Sequence, residues 1–170
     1  MSIAASDITY FAVYHDIPHA LLALAISLIL LAITVVDIRT TEIPNGLILA
    51  LVPFAGAWVW SGGYLFSSVI GFFVVSVPML LLALVVQGAF GGGDIKLMAV
   101  CGFMLGWQDT LLAFAIAIVF GGSYAIFLLV SGKKGRDGHI PFAPALCAGV
   151  FLAMFFGQTV FDFYRGLLYG

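Results

Sequence analysis

The chain has 170 residues, of which 64% are hydrophobic and 8% charged, with a net charge of −2 and a mean hydropathy of +1.22. Soluble domains are about half apolar and about a quarter charged, so this composition excludes an ordinary water-soluble fold, and the negative balance argues against a nucleic-acid partner. It indicates an all-α, polytopic membrane helix bundle, and at about 20 residues per membrane helix the length gives about six spans in one integral membrane domain over residues 1–170.

Met1 to His19 hold Asp7 and Asp16 but no lysine or arginine, unlike the basic start of a signal peptide, so the first span is expected to stay in the protein. That span is predicted from about His19 to Val36, ahead of a polar link, Asp37 to Glu42. Span two is predicted from Pro44 to Trp60, its proline placed in the first turn, where a missing N–H costs nothing. Ser61-Gly62-Gly63 is a turn. Span three covers Tyr64 to Gln87, with a kink expected at Pro78. The Gly88 to Gly93 stretch is too rich in glycine to be helical throughout. Span four, Asp94 to Trp107, covers about 20 Å at 1.5 Å per residue, less than the roughly 30 Å hydrocarbon core. Span five runs from Asp109 to Val130, and span six from Pro141 to Tyr164 after a basic link, Ser131 to His139.

Cytoplasmic loops collect lysine and arginine. With the N-terminus outside, the inner links hold Arg39, Lys96, Lys133, Lys134 and Arg136, and the outer side holds only Arg165. Six spans then place both termini outside and put Asp37 and Asp94 at the cytoplasmic ends of their spans.

No charged residue occurs from Ile43 to Gly93, and a carboxylate at the margin of so apolar a stretch marks a functional site. Two carboxylates brought close share a proton and serve as general acid and general base on one water. Asp37 and Asp94 are therefore the expected catalytic pair for peptide hydrolysis, with no cofactor. The sequence has no HExxH zinc pair and no GxSxG serine, and Cys101 and Cys147 form no CxxC. No metal site is expected, and the cysteines read as small apolar core residues. His15, His19 and His139 fall near span margins. Gly91, Gly92 and Gly93 let a foreign backbone approach, and an extended peptide pairing there is the expected mode of substrate binding. Lys96 lies two positions from Asp94, and in a helix that spacing points to another face, so it reads as an anchor at the membrane surface. Arg39 has the same relation to Asp37.

Asp37-Ile38-Arg39-Thr40-Thr41-Glu42-Ile43-Pro44-Asn45 resembles the first aspartate motif of the bacterial type IV prepilin peptidases, and Gly91-Gly92-Gly93-Asp94-Ile95-Lys96-Leu97 resembles their GxGD motif. Ile140-Pro141-Phe142-Ala143-Pro144-Ala145-Leu146 is similar to their Pro-Phe-Gly-Pro segment, with Ala143 in place of the usual glycine. The resemblance covers residues 20 to 160. It implies an inner-membrane aspartyl endopeptidase that removes the basic leader of prepilins or pseudopilins at the cytoplasmic face, with Asp37 and Asp94 catalytic and with the lipid bilayer and a prepilin as partners. It implies the short form, without the cysteine-bearing cytoplasmic insertion that goes with methyl transfer. Pro144-Ala145-Leu146 is also similar to the PAL motif of presenilin-like GxGD proteases, an alternative reading, and a proton-coupled transporter using the two aspartates is another.

Overall fold

The computed structural model describes residues 17–86, 90–131 and 141–169. Its helices in chain order are α1 (Ile17–Thr40), α2 (Asn45–Gly62), α3 (Leu65–Val74), α4 (Ser76–Val85), α5 (Gly92–Leu105), α6 (Trp107–Val130) and α7 (Ala143–Tyr169), and the described residues hold no strand. Five stretches are long and apolar enough to cross a membrane: Pro18–Thr40, Asn45–Gly62, Leu65–Val85, Trp107–Leu128 and Ala143–Leu167. The third joins α3 and α4, and the 14-residue α5, where a fourth span was expected, is too short to be among them. The chain is a multi-pass, all-helical membrane protein.

In α1 the buried positions Ala23, Ile26, Leu30, Ile33 and Asp37 recur at steps of three and four, so they share one face. Leu21, Leu24, Leu28 and Leu31 lie exposed on the other side, where lipid replaces water as their solvent. The helix outlasts its predicted end at Val36. The Thr40 hydroxyl donates to the Val36 carbonyl at 2.9 Å and the Thr41 N–H to the Asp37 carbonyl at 2.8 Å. Thr41 then turns left-handed, at φ 53°, and stops it. Asp37 therefore sits in the last turn of α1 and not in a link.

The other boundaries have local causes. Gly63, at φ 70°, donates its N–H to the Val59 carbonyl at 3.0 Å and ends α2 in the left-handed cap that glycine accepts freely. The expected kink of span three lies at Val75 and not at Pro78. A proline cannot donate to the carbonyl four residues back, here Val74, and its ring crowds it, so the break falls one turn earlier. The Ser76 hydroxyl turns to the Phe72 carbonyl beside it. A single residue, Gly106 at φ 81°, separates α5 from α6, so α5 ends at Leu105 and α6 starts at Trp107, earlier than expected. The last helix extends to Tyr169, beyond the predicted Tyr164.

The 14-residue α5 is the most enclosed helix. α5 packs against α2, α3, α4, α6 and α7. Its Asp94, Leu97, Met98, Cys101, Met104 and Leu105 are all buried. Apolar contact gives little drive between helices in lipid, so close backbone approach takes its place. A Cβ on Gly71 of α3 would lie 2.2 Å from the Gly102 carbonyl oxygen of α5, and one on Gly102 would lie 2.2 Å from that of Gly71. Gly149 of α7 meets the Ala113 carbonyl of α6 in the same way. Because five helices surround it, α5 can be as short as about 21 Å and still have protein along its length.

Candidate active site

The C-terminal end of α1 and the N-terminal ends of α2, α5 and α7 share one end of the bundle. There Asp37 and Asp94, 4% and 8% exposed, lie close enough for the charge of one to act on the other. Among the described residues the single ion pair is Arg165–Asp162, at the far end of α7, and none of them pairs a base with either carboxylate. Backbone groups hold them instead. Asp94 occupies the third position of α5, and its Oδ2 accepts the Gly91 N–H at 3.2 Å, closing back on the helix start as a capping carboxylate does. Asp37 accepts the backbone N–H of Ala143, the first residue of α7. Asp37 Oδ2 is buried without a protein hydrogen-bond partner.

The motif after Asp37 fixes the start of α2 to the start of α5. A Cβ on Gly93 would lie 2.8 Å from Ile43 Cβ, so Ile43 fills the space this glycine leaves. Two residues on, the Asn45 amide oxygen accepts the Lys96 ammonium at 3.0 Å. Lys96 points to Asn45 and not to Asp94, as its spacing required. Gly91 and Gly92 are exposed beside the pair. A Cβ on Gly92 would meet nothing within 4 Å, whereas one on Gly91 would press on Asp94 Oδ2 at 3.2 Å. Arg39 and Glu42 are exposed at the same end.

Sequence reasoning missed several neighbours. Both cysteines are buried and free, but the Cys147 thiol lies beside the Thr34 hydroxyl and within electrostatic reach of both aspartates, so it lines the site as well as the core. Phe90, Phe142 and Phe114 form an aromatic group next to it, with ring centroids 5.4 Å and 6.5 Å from Phe90. Of these, Phe142 lay in a motif the sequence did single out, Ile140 to Leu146, where Ala143 replaces the usual glycine. Ala143 is fully buried, so the fold accepts a methyl group there.

His19 sits at the opposite end, its Nε2 at 2.8 Å from the Ser61 hydroxyl and its ring edge-on to Trp58. His15, His139 and the basic link Lys133, Lys134 and Arg136 lie outside the described residues. Among those described, no three of histidine, cysteine, aspartate and glutamate come together as metal ligands.

Residues 23–126 match the type IV leader peptidase family. Relatives named prepilin leader peptidase/N-methyltransferase include one from Bacillus subtilis, 33% identical over 149 residues, covering 84% of this chain and 58% of the relative. One from Legionella pneumophila is 30% identical over 154 residues, covering 91% and 49%, and one from Burkholderia pseudomallei is 31% identical over 151 residues, covering 84% and 48%. The chain thus spans about half the length of the curated relatives it matches. No solved structure matches it.

Proposed function

This chain belongs to the type IV leader peptidase family, and we propose that it is an aspartyl endopeptidase that removes the leader of prepilins or pseudopilins at the cytoplasmic face of the inner membrane, acting as one domain over residues 1–170. The observation that carries the proposal is the meeting of Asp37 and Asp94, both buried, at one end of the bundle, with no ion pair to either among the described residues. Close carboxylates share a proton. The ionised member takes a proton from water as the water oxygen attacks the scissile carbonyl carbon, and the other donates its proton to the carbonyl oxygen. Collapse of the tetrahedral intermediate breaks the C–N bond, the proton taken from water passes to the leaving amine, and a hydroxyl proton of the intermediate returns to the other aspartate as the carboxyl product forms. The unpartnered Asp37 Oδ2 has the free acceptor capacity this requires.

The substrate backbone lies along the exposed Gly91–Gly92 edge, in extended form, since a helix hides its carbonyls. Open space over Gly92 supports this placement. Recognition then rests on backbone geometry at the cut more than on the leader's charge.

The test is cleavage of a purified prepilin by the chain reconstituted in lipid, read by mass spectrometry. Asp37→Asn and Asp94→Asn should each lower kcat by at least about 10³-fold, within the range general acid–base groups contribute, while the protein stays inserted and folded. Near wild-type cleavage by Asp94→Asn rejects the aspartyl mechanism. Proton flux without any cleavage favours a transporter.

A further inference from the structure

Phe142 stands between the two backbone donors that hold the dyad. Its carbonyl accepts the N–H groups of Ala145 and Leu146, each at 3.1 Å, and so starts α7. Pro144 has no N–H to offer. The Ala143 N–H is the first-turn donor left over, and it goes to Asp37. On its other side the Phe142 ring meets Phe90 at a centroid separation of 5.4 Å, tilted by 57°. The residue after Phe90 is Gly91, whose N–H holds Asp94 Oδ2.

The ring has a fixed seat. A Cβ on Gly121 of α6 would lie 2.5 Å from Phe142 Cε2, so the ring occupies a notch that only glycine leaves. Phe114, also on α6, backs Phe90 at 6.5 Å. Thus α6, which supplies no carboxylate to the pair, seats both aromatic rings.

We infer that Phe142 is a positioning residue for the dyad: seated on Gly121, it sets the Ala143 N–H on Asp37 through its own backbone and the Gly91 N–H on Asp94 through Phe90. The inference rests on the aspartyl peptidase proposed above. Among the described residues neither aspartate has a basic partner, and these backbone donors are what orient the pair. A misplacement of about 1 Å by a residue away from the chemistry costs about 10²-fold in rate. Phe142→Ala in the full chain should therefore lower kcat about 100-fold with KM changed less than about threefold. Phe142→Tyr, which keeps the ring, should restore most of it. Phe90→Ala combined with Phe142→Ala should be little worse than either alone, because both cut the same chain of contacts.

Gly121→Ala covers the case in which Phe142→Ala does not fold. It leaves Phe142 in place but displaces the ring and should lower kcat, while Gly122→Ala, whose Cβ meets nothing within 4 Å, should not. If the wild type and Phe142→Tyr cleave and folded Phe142→Ala keeps its kcat, the positioning role is wrong while the peptidase stands. A rise in KM alone identifies Phe142 as a substrate contact and overturns the role equally. If the wild type cuts no prepilin, the peptidase reading falls and the inference falls with it.

Discussion

Substituting valine at Gly93 and, separately, at Gly92 distinguishes two uses of the glycine run. A Cβ on Gly93 would lie 2.8 Å from Ile43 Cβ and 3.2 Å from its Cγ1, inside the roughly 3.5–4.0 Å at which carbon atoms pack best. Ile43 is branched at the contact atom and followed by Pro44, so it retreats only by moving the segment that leads from Asp37. Overpacking of this kind costs about 1–3 kcal/mol. At about 2–4 °C per kcal/mol for a chain of this size, Gly93→Val should melt about 2–12 °C lower. The Cβ of Gly92 meets nothing within 4 Å, so Gly92→Val should hold its Tm within about 2 °C. It should nonetheless raise KM or abolish cleavage, because the new side chain occupies the edge assigned to the substrate backbone. Thermal melting of the detergent-solubilised protein, followed by tryptophan fluorescence, gives the first quantity, and cleavage kinetics on a prepilin give the second. Ile43→Ala added to Gly93→Val should recover part of the lost Tm. Equal melting of the two valine variants would refute the packing argument, and unchanged kinetics in Gly92→Val would refute the strand-pairing argument.

Lys96→Gln should keep cleavage within an order of magnitude of wild type and cost about 0.5–1.5 kcal/mol of stability, since it removes one exposed hydrogen bond to Asn45 and no charge from the dyad; a loss as large as that of Asp94→Asn makes Lys96 a catalytic partner instead. Arg39→Gln, at an exposed position, should likewise remain active. Reporter fusions after Gly63 and after Gly135 should read outside and inside respectively, and the reverse pattern moves the dyad to the other face of the membrane. Cleavage by the 170-residue chain should persist with a chelator, and no label should pass from S-adenosylmethionine to the mature pilin. The short segment between Thr40 and Asn45 holds no folded module, and Cys101 and Cys147 are buried on helices; labelled pilin, or cleavage lost on chelation, exposes a site missed in these residues.

The multi-pass, all-helical architecture was legible in the sequence, because long apolar runs punctuated by Gly63 and Pro44 leave few other solutions. The inward faces were not. In a soluble helix the change from apolar to polar marks the buried side, but α1 is apolar on both sides, with Leu24 and Leu28 toward lipid and Ile26 and Leu30 inside. Asp37 is the one residue whose chemistry marks the inner face, which is why the carboxylates were found and their neighbours were not. Thr34, Cys147, Phe90 and Phe142 carry no such mark, and they reach the site from four separate stretches of chain. The break at Val75 was misplaced for a related reason: a proline acts on the carbonyl a turn before it, so its effect appears where the sequence shows only valine.

Asp109 shows why burial of a carboxylate is not by itself the signal. It lies at the start of α6, away from the dyad, with Oδ1 buried and without a partner among the described groups. A Cβ on Gly157 of α7 would fall 2.4 Å from that oxygen, so the glycine makes room for it. By residue type and position in the sequence it matches Asp37 and Asp94: an acid at the edge of an apolar span. What it lacks is convergence. No second acid acts on it, no backbone donor is aimed at it, and no open glycine edge runs beside it. Hydrolysis of a peptide needs a proton taken and a proton given within one water's reach, and among the described residues it is the end of the bundle where α1, α5 and α7 meet that brings two acids together. The fold builds that end from a helix too short to span on its own, which brings the Asp94 turn inside protein and leaves the glycines before it open to an incoming chain.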